Sequence, residues 1–158
     1  MPAASPKTIS ILIADDDADD RLMAKEALEE CRLVNRVDFV EDGVELLAYL
    51  RRQGRYADKD KAPRPGLIIL DLNMPKMNGT EALREIKADP ALRRIPVVIM
   101  TTSKAEEDIY RSYDLGVNSF ITKPVTFDAL VHVMCALGVY WVEIVELPDQ
   151  DQSSVRTL

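Results

Sequence analysis

The sequence is poor in cysteine, histidine and tryptophan, and its hydrophobic runs are short. Its 158 residues include two cysteines, one tryptophan and one histidine. The most hydrophobic stretch, residues 129–142, is interrupted by His132 and is too short to span a bilayer. The first residues lack the apolar core of a signal peptide. These absences argue against a membrane or secreted protein, and we expect a soluble protein of the cytoplasm.

The scarce residue types also suggest their own roles. Cys31 and Cys135 both fall in helical apolar patterns, so we expect two reduced, buried thiols, with a disulfide as the less favoured alternative. His132 stands alone on the last predicted helix, and its surroundings are not those of a phosphotransfer histidine. We expect His132 to be a partly buried structural residue.

The charge balance is acidic. Against 20 basic residues stand 27 acidic ones, which gives a net charge of −7 and argues against general nucleic-acid binding. A chain of this length supports one domain with a substantial core. We expect that domain to cover residues 1–148 and the polar residues 149–158 to form a disordered tail. The few residues after Leu147 leave no room for a DNA-binding domain, so output would pass through protein contacts.

Strand-like and helix-like segments alternate five times along the chain. Short continuous apolar runs predict strands at residues 9–14, 36–40, 67–71, 96–100 and 118–122. Apolar stripes and capping signatures predict helices at residues 23–31, 44–50, 78–88, 103–116 and 125–147. This alternation is typical of a parallel sheet with helices on both faces.

Chemically reactive side chains follow three of these strands. Asp15 and Asp16 come after the first, Asp71 ends the third and Lys123 follows the fifth. The carboxyl ends of parallel strands gather at one edge of an open sheet, so these groups should converge there. Crowded carboxylates repel one another, and a divalent cation such as Mg²⁺ relieves that repulsion. We therefore expect Asp15, Asp16 and Asp71 to hold a metal ion.

The same set of side chains suits phosphoryl transfer. Asp71 is the candidate nucleophile, and Lys123 would neutralise charge on a phosphoryl oxygen. The backbone carbonyl of Asn73 is close enough in sequence to complete the metal coordination, and Thr101 would place a hydroxyl beside the site. Each acid alone could be a solvated surface residue, but their joint placement at strand ends disfavours that reading.

A calcium-binding EF-hand loop is a competing interpretation of the first acidic cluster. Asp15, Asp17 and Asp19 have its spacing, with Glu26 further along. That loop requires glycine at its sixth position and a helix before it. Here the sixth position is Asp20 and a strand precedes the cluster, so we disfavour this interpretation.

Two segments are longer than five alternating strands and helices require. Residues 51–66 form a long connection whose net charge is +4, from two aspartates and six basic residues: Arg51, Arg52, Arg55, Lys59, Lys61 and Arg64. We interpret it either as a solvated loop or as a contact for a partner. The last predicted helix is too long for short strands to cover, so its far end should protrude.

The chain resembles the receiver domains of two-component response regulators. The resemblance covers roughly residues 8–137 and is carried by Ile-Ala-Asp-Asp (13–16), Leu-Asp-Leu-Asn-Met-Pro-Lys-Met-Asn-Gly (70–79), Met-Thr-Thr (100–102) and Lys-Pro (123–124). It implies an α/β flavodoxin-like (βα)5 sandwich with parallel strand order 2-1-3-4-5. It also implies that Asp71 accepts phosphate from a histidine kinase with Mg²⁺ or Mn²⁺ as cofactor.

Further family features follow from that resemblance. Lys123 and Pro124 are expected to be joined by a cis peptide bond. In the family's switch the Thr101 hydroxyl moves towards the phosphate and vacates space for an aromatic residue, here Phe120. Many relatives have tyrosine there, so the Phe120 switch would act by packing alone; a core phenylalanine that never moves is the alternative.

A narrower resemblance is to stand-alone receivers that partner bacterial phytochromes. It is carried by Arg-Arg-Gln-Gly-Arg-Tyr (51–56), Ala-Asp-Pro (88–90), Thr-Ser-Lys-Ala-Glu-Glu-Asp-Ile (102–109) and the aromatic end at 140–148. It implies a phytochrome histidine kinase as partner and a homodimer that uses the extended last helix. The interface candidates are Tyr140, Trp141, Ile144 and Leu147; a helix that docks another protein is the alternative.

Two other functions compete with this one. A degenerate receiver would dock partners without phosphorylation, which the full set of acids, lysine and threonine disfavours. A phosphatase would use Asp71 as nucleophile and a second aspartate two residues later, but Asn73 occupies that position. We therefore expect a signalling protein that catalyses only its own phosphorylation and dephosphorylation.

Overall fold

Five parallel strands form one sheet at the centre of the computed structural model, which describes residues 9–31, 35–72, 74, 76–101, 119–122 and 126–137. The strands are β1 (Ile11–Ala14), β2 (Val37–Val40), β3 (Leu67–Asp71), β4 (Val97–Thr101) and β5 (Ser119–Thr122). Their order across the sheet is β2-β1-β3-β4-β5, and every neighbouring pair is parallel. The predicted flavodoxin-like strand order is therefore confirmed.

Four α-helices are described. They are α1 (Ala18–Glu30), α2 (Gly43–Leu50), α3 (Gly79–Ala88) and α4 (Phe127–Leu137), with a short 3₁₀ helix at Gly54–Tyr56. The helix predicted at residues 103–116 lies outside the described residues, as does the predicted extension of the last helix beyond Leu137. None of the helices in the described part of the chain is long and apolar enough to cross a membrane.

Side chains cap the first three helices. The Asp17 carboxylate accepts hydrogen bonds from the backbone amides of Asp19 (2.8 Å) and Asp20 (3.0 Å) at the start of α1. At α3, Asn78 and Glu81 form a reciprocal capping box. Because caps satisfy amides that the helix leaves unpaired, they determine where each helix begins.

The sheet separates two hydrophobic cores. Strand residues alternate between its faces, so Leu12 and Ala14 pack on one side while Ile11 and Ile13 pack on the other. Helices α2 and α3 cover the first face, and α1 and α4 cover the second. This three-layer arrangement confirms the fold class predicted from the alternating pattern.

The basic connection at residues 51–66 runs along α2 and then closes across the amino-terminal ends of the strands. Its last residue, Gly66, donates a backbone hydrogen bond to the carbonyl of Ser10 (2.8 Å). Arg36 donates to the carbonyls of Asp60 (2.7 Å) and Lys61 (3.0 Å). The segment is thus tied to the sheet by both backbone and side-chain bonds.

The expectation of two reduced thiols was wrong. Cys31, at the end of α1, and Cys135, on α4, form a disulfide that joins the two helices. Cys31 packs against the core that α1 and α4 share, and Cys135 directly follows the buried Met134, so packing α1 against α4 brings the two cysteines together. The sequence pattern shows each stripe but not which residues of the two helices lie opposite each other.

The expectation for His132 and the EF-hand alternative were also wrong. His132 is exposed, because it lies on the face of α4 opposite the buried Leu130, Met134 and Leu137. The acidic cluster is preceded by β1, and α1 has already begun at Ala18, so Glu26 lies inside a helix. A residue held there cannot close a calcium loop.

Candidate functional site

Three carboxylates meet at the carboxyl edge of the sheet. Asp15 and Asp16 directly follow β1, and Asp71 is the last residue of β3, which is paired with β1 in register from Ile11↔Leu67 to Ala14↔Leu70. One carboxylate oxygen from each of the three residues lies within 4.8 Å of the other two. The predicted acidic convergence is therefore confirmed at the level of distances.

The three carboxylates differ in exposure. Asp15 and Asp71 are both 6% exposed, whereas Asp16 lies at the surface. Solvent or a ligand would therefore reach the group from the Asp16 side. An oxygen-only cluster with one open side fits a hard divalent cation that keeps part of its water shell, as Mg²⁺ does.

Local hydrogen bonds hold the first acid, Asp15. The amide of Asp17 donates to Oδ1 of Asp15 (3.0 Å), and Arg21 donates to the Asp15 carbonyl (2.9 Å). Asp17 itself turns away to cap α1, which explains why it does not join the converging carboxylates. Of the consecutive aspartates, two can bind a cation and the third starts a helix.

The start of α3 lies against the backbone at the end of β3, and a glycine allows this close approach. The amide of Gly79 donates to the carbonyl of Leu72 (3.0 Å). A Cβ atom at position 79 would lie 2.6 Å from the Asp71 carbonyl oxygen and 2.7 Å from Cα of Leu72. The start of α3 therefore packs directly on the backbone of the candidate nucleophile.

The other predicted site residues are only partly described. Thr101 ends β4 one residue after Met100, the register partner of Asp71, so its backbone reaches the same edge. Phe120 lies in β5 opposite Ile99. The side chains of Thr101 and Phe120 are not among the described parts of the chain. The described residues also do not include Asn73, Lys123 with its predicted cis bond, or the interface candidates Tyr140, Trp141, Ile144 and Leu147.

Two charged residues near the site were not identified from the sequence. The Nζ atom of Lys76 lies 3.6 Å from Oδ2 of Asp42, and Asp42 is 8% exposed. Asp42 also caps α2 by accepting from the amide of Glu45 (2.7 Å). The capping signature of Asp42 is visible in the sequence, but its contact with a loop 34 residues later is not.

A model of a known protein family matches most of the chain. The family described as "Response regulator receiver domain" matches residues 11–134, which include β1 with its two acids, Asp71 and most of α4. The chain belongs to the response regulator receiver family. The strand order and the acidic edge found in this receiver agree with that assignment.

Individual relatives of the receiver include phytochrome response regulators. It is 40% identical to the response regulator Rcp1 of Synechocystis sp. over 145 residues, which cover 92% of this chain and 96% of that protein. It is also 32% identical over 126 residues to the chemotaxis protein CheY-3 of Vibrio cholerae, covering 80% of this chain and 88% of that protein.

Solved structures give the same grouping. The phosphorylated cyanobacterial phytochrome response regulator RcpA is 44% identical, with a TM-score of 0.77 over 85% of this chain and 94% of that chain. The Mn²⁺-bound form of Rcp1 is 38% identical, with a TM-score of 0.75 over 86% and 96%. The receiver is thus homologous to phytochrome response regulators of two-component signalling.

Proposed function

We propose that Asp71 is the residue phosphorylated in this receiver, by transfer from the phosphohistidine of a histidine kinase. The meeting of the Asp15, Asp16 and Asp71 carboxylates at one edge of the sheet is the observation that carries the proposal. A carboxylate oxygen of Asp71 attacks phosphorus, and the histidine nitrogen leaves as the new oxygen–phosphorus bond forms. Residues 1–148 make up the receiver domain in this proposal.

Asp15, Asp16 and Asp71 would hold Mg²⁺ or Mn²⁺, with the backbone carbonyl of Asn73 as a further ligand. The cation supplies charge neutralisation for the transferred group. Asp71 is buried at the end of β3, with its carboxylate beside those of Asp15 and Asp16. Lys123 would bind a phosphoryl oxygen as a point charge.

The phosphorylated state would be read through β4 and β5. Thr101 and Phe120 belong to these adjacent strands, which pair from Val98↔Ser119 to Thr101↔Thr122. The Thr101 hydroxyl would move towards the phosphate, and Phe120 would fill the space that it leaves. Because phenylalanine has no hydroxyl, the change at position 120 would be one of packing alone.

The kinase partner in this proposal is a phytochrome. The support is the similarity to RcpA and Rcp1 together with the Arg-Arg-Gln-Gly-Arg-Tyr segment at residues 51–56. Such a kinase draws its phosphate from ATP, so the proposal places the receiver in the cytoplasm. Output passes through protein contacts rather than direct binding to nucleic acid, in keeping with the net charge of −7.

Incubation with acetyl phosphate and Mg²⁺, followed by intact-mass measurement, tests the phosphoacceptor. We expect the wild-type protein to gain one phosphoryl group, which requires Mg²⁺ and disappears in Asp71→Asn. Asp60→Asn, at an exposed site in the basic segment, is the matched control and should behave as wild type. Absence of phosphorylation in the wild type would favour the docking module instead.

Transfer from a purified phytochrome kinase tests the partner. Within the described part of the chain, the side chains of Lys59, Lys61 and Arg64 are exposed and form no ion pair. Replacing all three with glutamate should slow transfer from the kinase and leave phosphorylation by acetyl phosphate unchanged. If the triple variant and the wild type accept phosphate from the kinase at equal rates, the basic segment is not part of the interface.

The proposed homodimer uses the last helix beyond α4. Tyr140, Trp141, Ile144 and Leu147 recur at helical spacing and supply large apolar side chains. Trp141→Ala should lower the molar mass measured by light scattering towards that of a monomer at equal concentration. His132→Ala, on an exposed position of α4, is the control, and an unchanged mass in Trp141→Ala would contradict the interface.

A further inference from the structure

We infer that Asp42 and Lys76 position the loop that follows Asp71 and thereby strengthen cation binding at the acidic site. The inference rests on the proposed function, because it assumes that this site binds a divalent cation. Asp42 lies at the turn between β2 and α2, and Lys76 lies between β3 and α3. We call the contact between these two residues the Asp42–Lys76 clamp.

The loop is fastened to the β2–α2 turn at two adjacent points. The first is the ion pair between Nζ of Lys76 and Oδ2 of Asp42 (3.6 Å). The second is a backbone hydrogen bond from the amide of Gly43 to the carbonyl of Met77 (3.0 Å). At its other end the loop is closed by the bond from Gly79 to Leu72 (3.0 Å). The described residues at both ends of the loop are therefore held in place.

Asp42 is well placed to hold Lys76. Its Oδ1 atom is occupied as the α2 cap, accepting from the Glu45 amide (2.7 Å), while Oδ2 faces the lysine. The Asp42 side chain is 12% exposed, but that of Lys76 is 69% exposed. Exposed ion pairs add little to global stability. The expected consequence of the clamp is therefore local, on the position of the loop.

The backbone at this contact is unusual in two ways. Lys76 has a φ of +64°, in the left-handed region that residues with a Cβ atom rarely adopt. A Cβ atom at Gly43 would lie 2.3 Å from the Met77 carbonyl oxygen. The strained backbone of Lys76 thus lies beside Gly43, where a side chain would clash. The ion pair and the backbone hydrogen bond between the loop and the turn keep this arrangement in place.

Residues of the basic segment support the clamp from outside. The Glu45 side chain accepts hydrogen bonds from the backbone amide of Glu41 (2.6 Å) and the Tyr56 hydroxyl (2.5 Å), and it pairs with Arg55. These bonds hold the turn on both sides of Asp42. The segment at 51–66 therefore has a structural link to the acidic site.

Cation binding is sensitive to such a constraint. Mg²⁺ requires near-ideal octahedral geometry at about 2.0–2.1 Å, so small shifts of a ligand weaken binding. The loop held by the clamp begins directly after Asp71, whose carboxylate is a proposed ligand, and its far end is bonded to Leu72 through the amide of Gly79. Loosening the clamp should lower cation affinity without removing any of the three carboxylates.

Four variants and one control test the inference. Lys76→Met and Asp42→Asn each remove one charge, and asparagine retains an oxygen that can cap α2. Their double variant and Lys76→Arg complete the set, while Lys25→Met removes an exposed lysine on α1. The Mn²⁺ dissociation constant is measured by electron paramagnetic resonance of free Mn²⁺. Amide hydrogen exchange of Gly43 in metal-free protein reports the loop contact directly.

We expect each single variant to bind Mn²⁺ roughly three- to tenfold more weakly and the double variant to lose no more than the singles. Gly43 should exchange faster in all three, Lys76→Arg should restore both measurements, and Lys25→Met should match wild type. Additive losses, or unchanged affinity in every variant, would overturn the inference. If the wild-type protein itself binds no Mn²⁺, the proposed function fails together with the clamp.

Discussion

Asp15 and Asp71 are almost completely buried although both are acids. Burying a carboxylate is unfavourable unless hydrogen bonds or an opposite charge replace the lost water. At Asp15 the Asp17 amide supplies one such bond (3.0 Å). The third carboxylate, Asp16, remains at the surface and keeps access to water. Burial thus orients two acids, while the exposed one leaves a route for a cation.

Gly79→Ala should impair the site through the backbone of Asp71. The added methyl group would lie 2.6 Å from the Asp71 carbonyl oxygen, so α3 or the end of β3 must move. We expect a stability loss of about 1–3 kcal/mol by urea denaturation, typical of overpacking, and slower phosphorylation by acetyl phosphate.

Gly54→Ala is a useful comparison for Gly79→Ala. Gly54 has a φ of +60° but no atom lies within 4 Å of its would-be Cβ atom. The Gly54→Ala variant should therefore lose about 1 kcal/mol of folding stability from backbone strain alone, with phosphorylation unchanged. If Gly79→Ala phosphorylates at the wild-type rate, the close contact at Asp71 has no functional role.

Tyr49 should remain un-ionised when exposed tyrosines titrate. Burial raises the pKa of Tyr49 above its usual range, and the hydrogen bond from its hydroxyl to Asp38 (2.6 Å) raises the pKa further. The folded state favours the neutral phenol, so this contribution to stability is complete below the unfolded pKa of about 10 and is lost as pH rises towards the folded value.

Phenolate absorbance and urea denaturation from about pH 8 to about pH 12 measure this effect. One of the five tyrosines should ionise only as the protein unfolds. Tyr49→Phe should lose about 1–2 kcal/mol near pH 8 with the hydrogen bond, yet its stability should decline less at alkaline pH. Ionisation of all tyrosines in the folded protein would contradict the assignment.

At the scale of elements, α1 and α4 form a pair joined by the Cys31–Cys135 disulfide. Their amino-terminal ends follow β1 and β5, next to the acidic edge, and they run away from it on one face of the sheet. The disulfide lies near their far ends. It therefore secures the packing of the two helices without contact with the acidic residues.

Reduction should lower stability without affecting the site. The bond closes a loop of 104 residues, and crosslinks of that length stabilise folded proteins by about 4–5 kcal/mol in the chain-entropy account. Urea denaturation with and without a dithiol reductant measures the difference. The Cys31→Ser, Cys135→Ser double variant should be as stable as the reduced protein, and the reductant should not change its stability. Equal wild-type stability in both conditions would contradict a structural disulfide.

The sequence predicted elements most accurately where apolar residues define them. The buried strand β3 has the predicted bounds of residues 67–71, since all five positions are buried. The first helix was predicted from Met23, but α1 begins at Ala18. Its first turn carries Asp19 and Asp20, which interact favourably with the helix amino terminus but give no apolar periodicity.

Contacts between distant segments could be predicted only where the strand order determines them. Strand order brings Asp15, Asp16 and Asp71 together, because parallel strands end at a common edge, and here topology alone was enough. The Lys76–Asp42 contact depends on the path of one loop past one turn. Periodicity and strand order carry no information about such a path. They also do not show which residues of α1 and α4 lie opposite each other, so the disulfide was not predicted.

At the scale of the whole molecule, charge is distributed unevenly. Acids dominate the chain, and three of them are held within 4.8 Å of one another at the edge of the sheet. The basic segment lies along α2 and the opposite ends of the strands, and two of its six basic side chains form ion pairs in the described part of the chain. Arg51 contacts Glu85 (3.2 Å) and Asp89 (3.6 Å), and Arg55 pairs with Glu45.

Mg²⁺ should stabilise the whole protein, and removal of one acid should largely abolish that stabilisation. A cation present at ten times its dissociation constant adds about 1.4 kcal/mol to the free energy of unfolding. For a domain of this size the melting temperature should rise by about 3–6 °C. Asp16→Asn should melt higher than wild type in a chelator, because repulsion among the carboxylates falls, and should gain little from Mg²⁺.

Thermal melting in chelator and in Mg²⁺ compares wild type, Asp16→Asn and the control Asp60→Asn. Asp60 is exposed in the basic segment, away from the carboxyl edge, so its variant should respond to Mg²⁺ as wild type does. If Asp16→Asn melts below wild type in chelator, the three acids do not repel one another strongly enough to require a cation. If it retains the full Mg²⁺ response, the cation binds elsewhere, because a carboxylate that holds the ion cannot be neutralised without lowering its affinity.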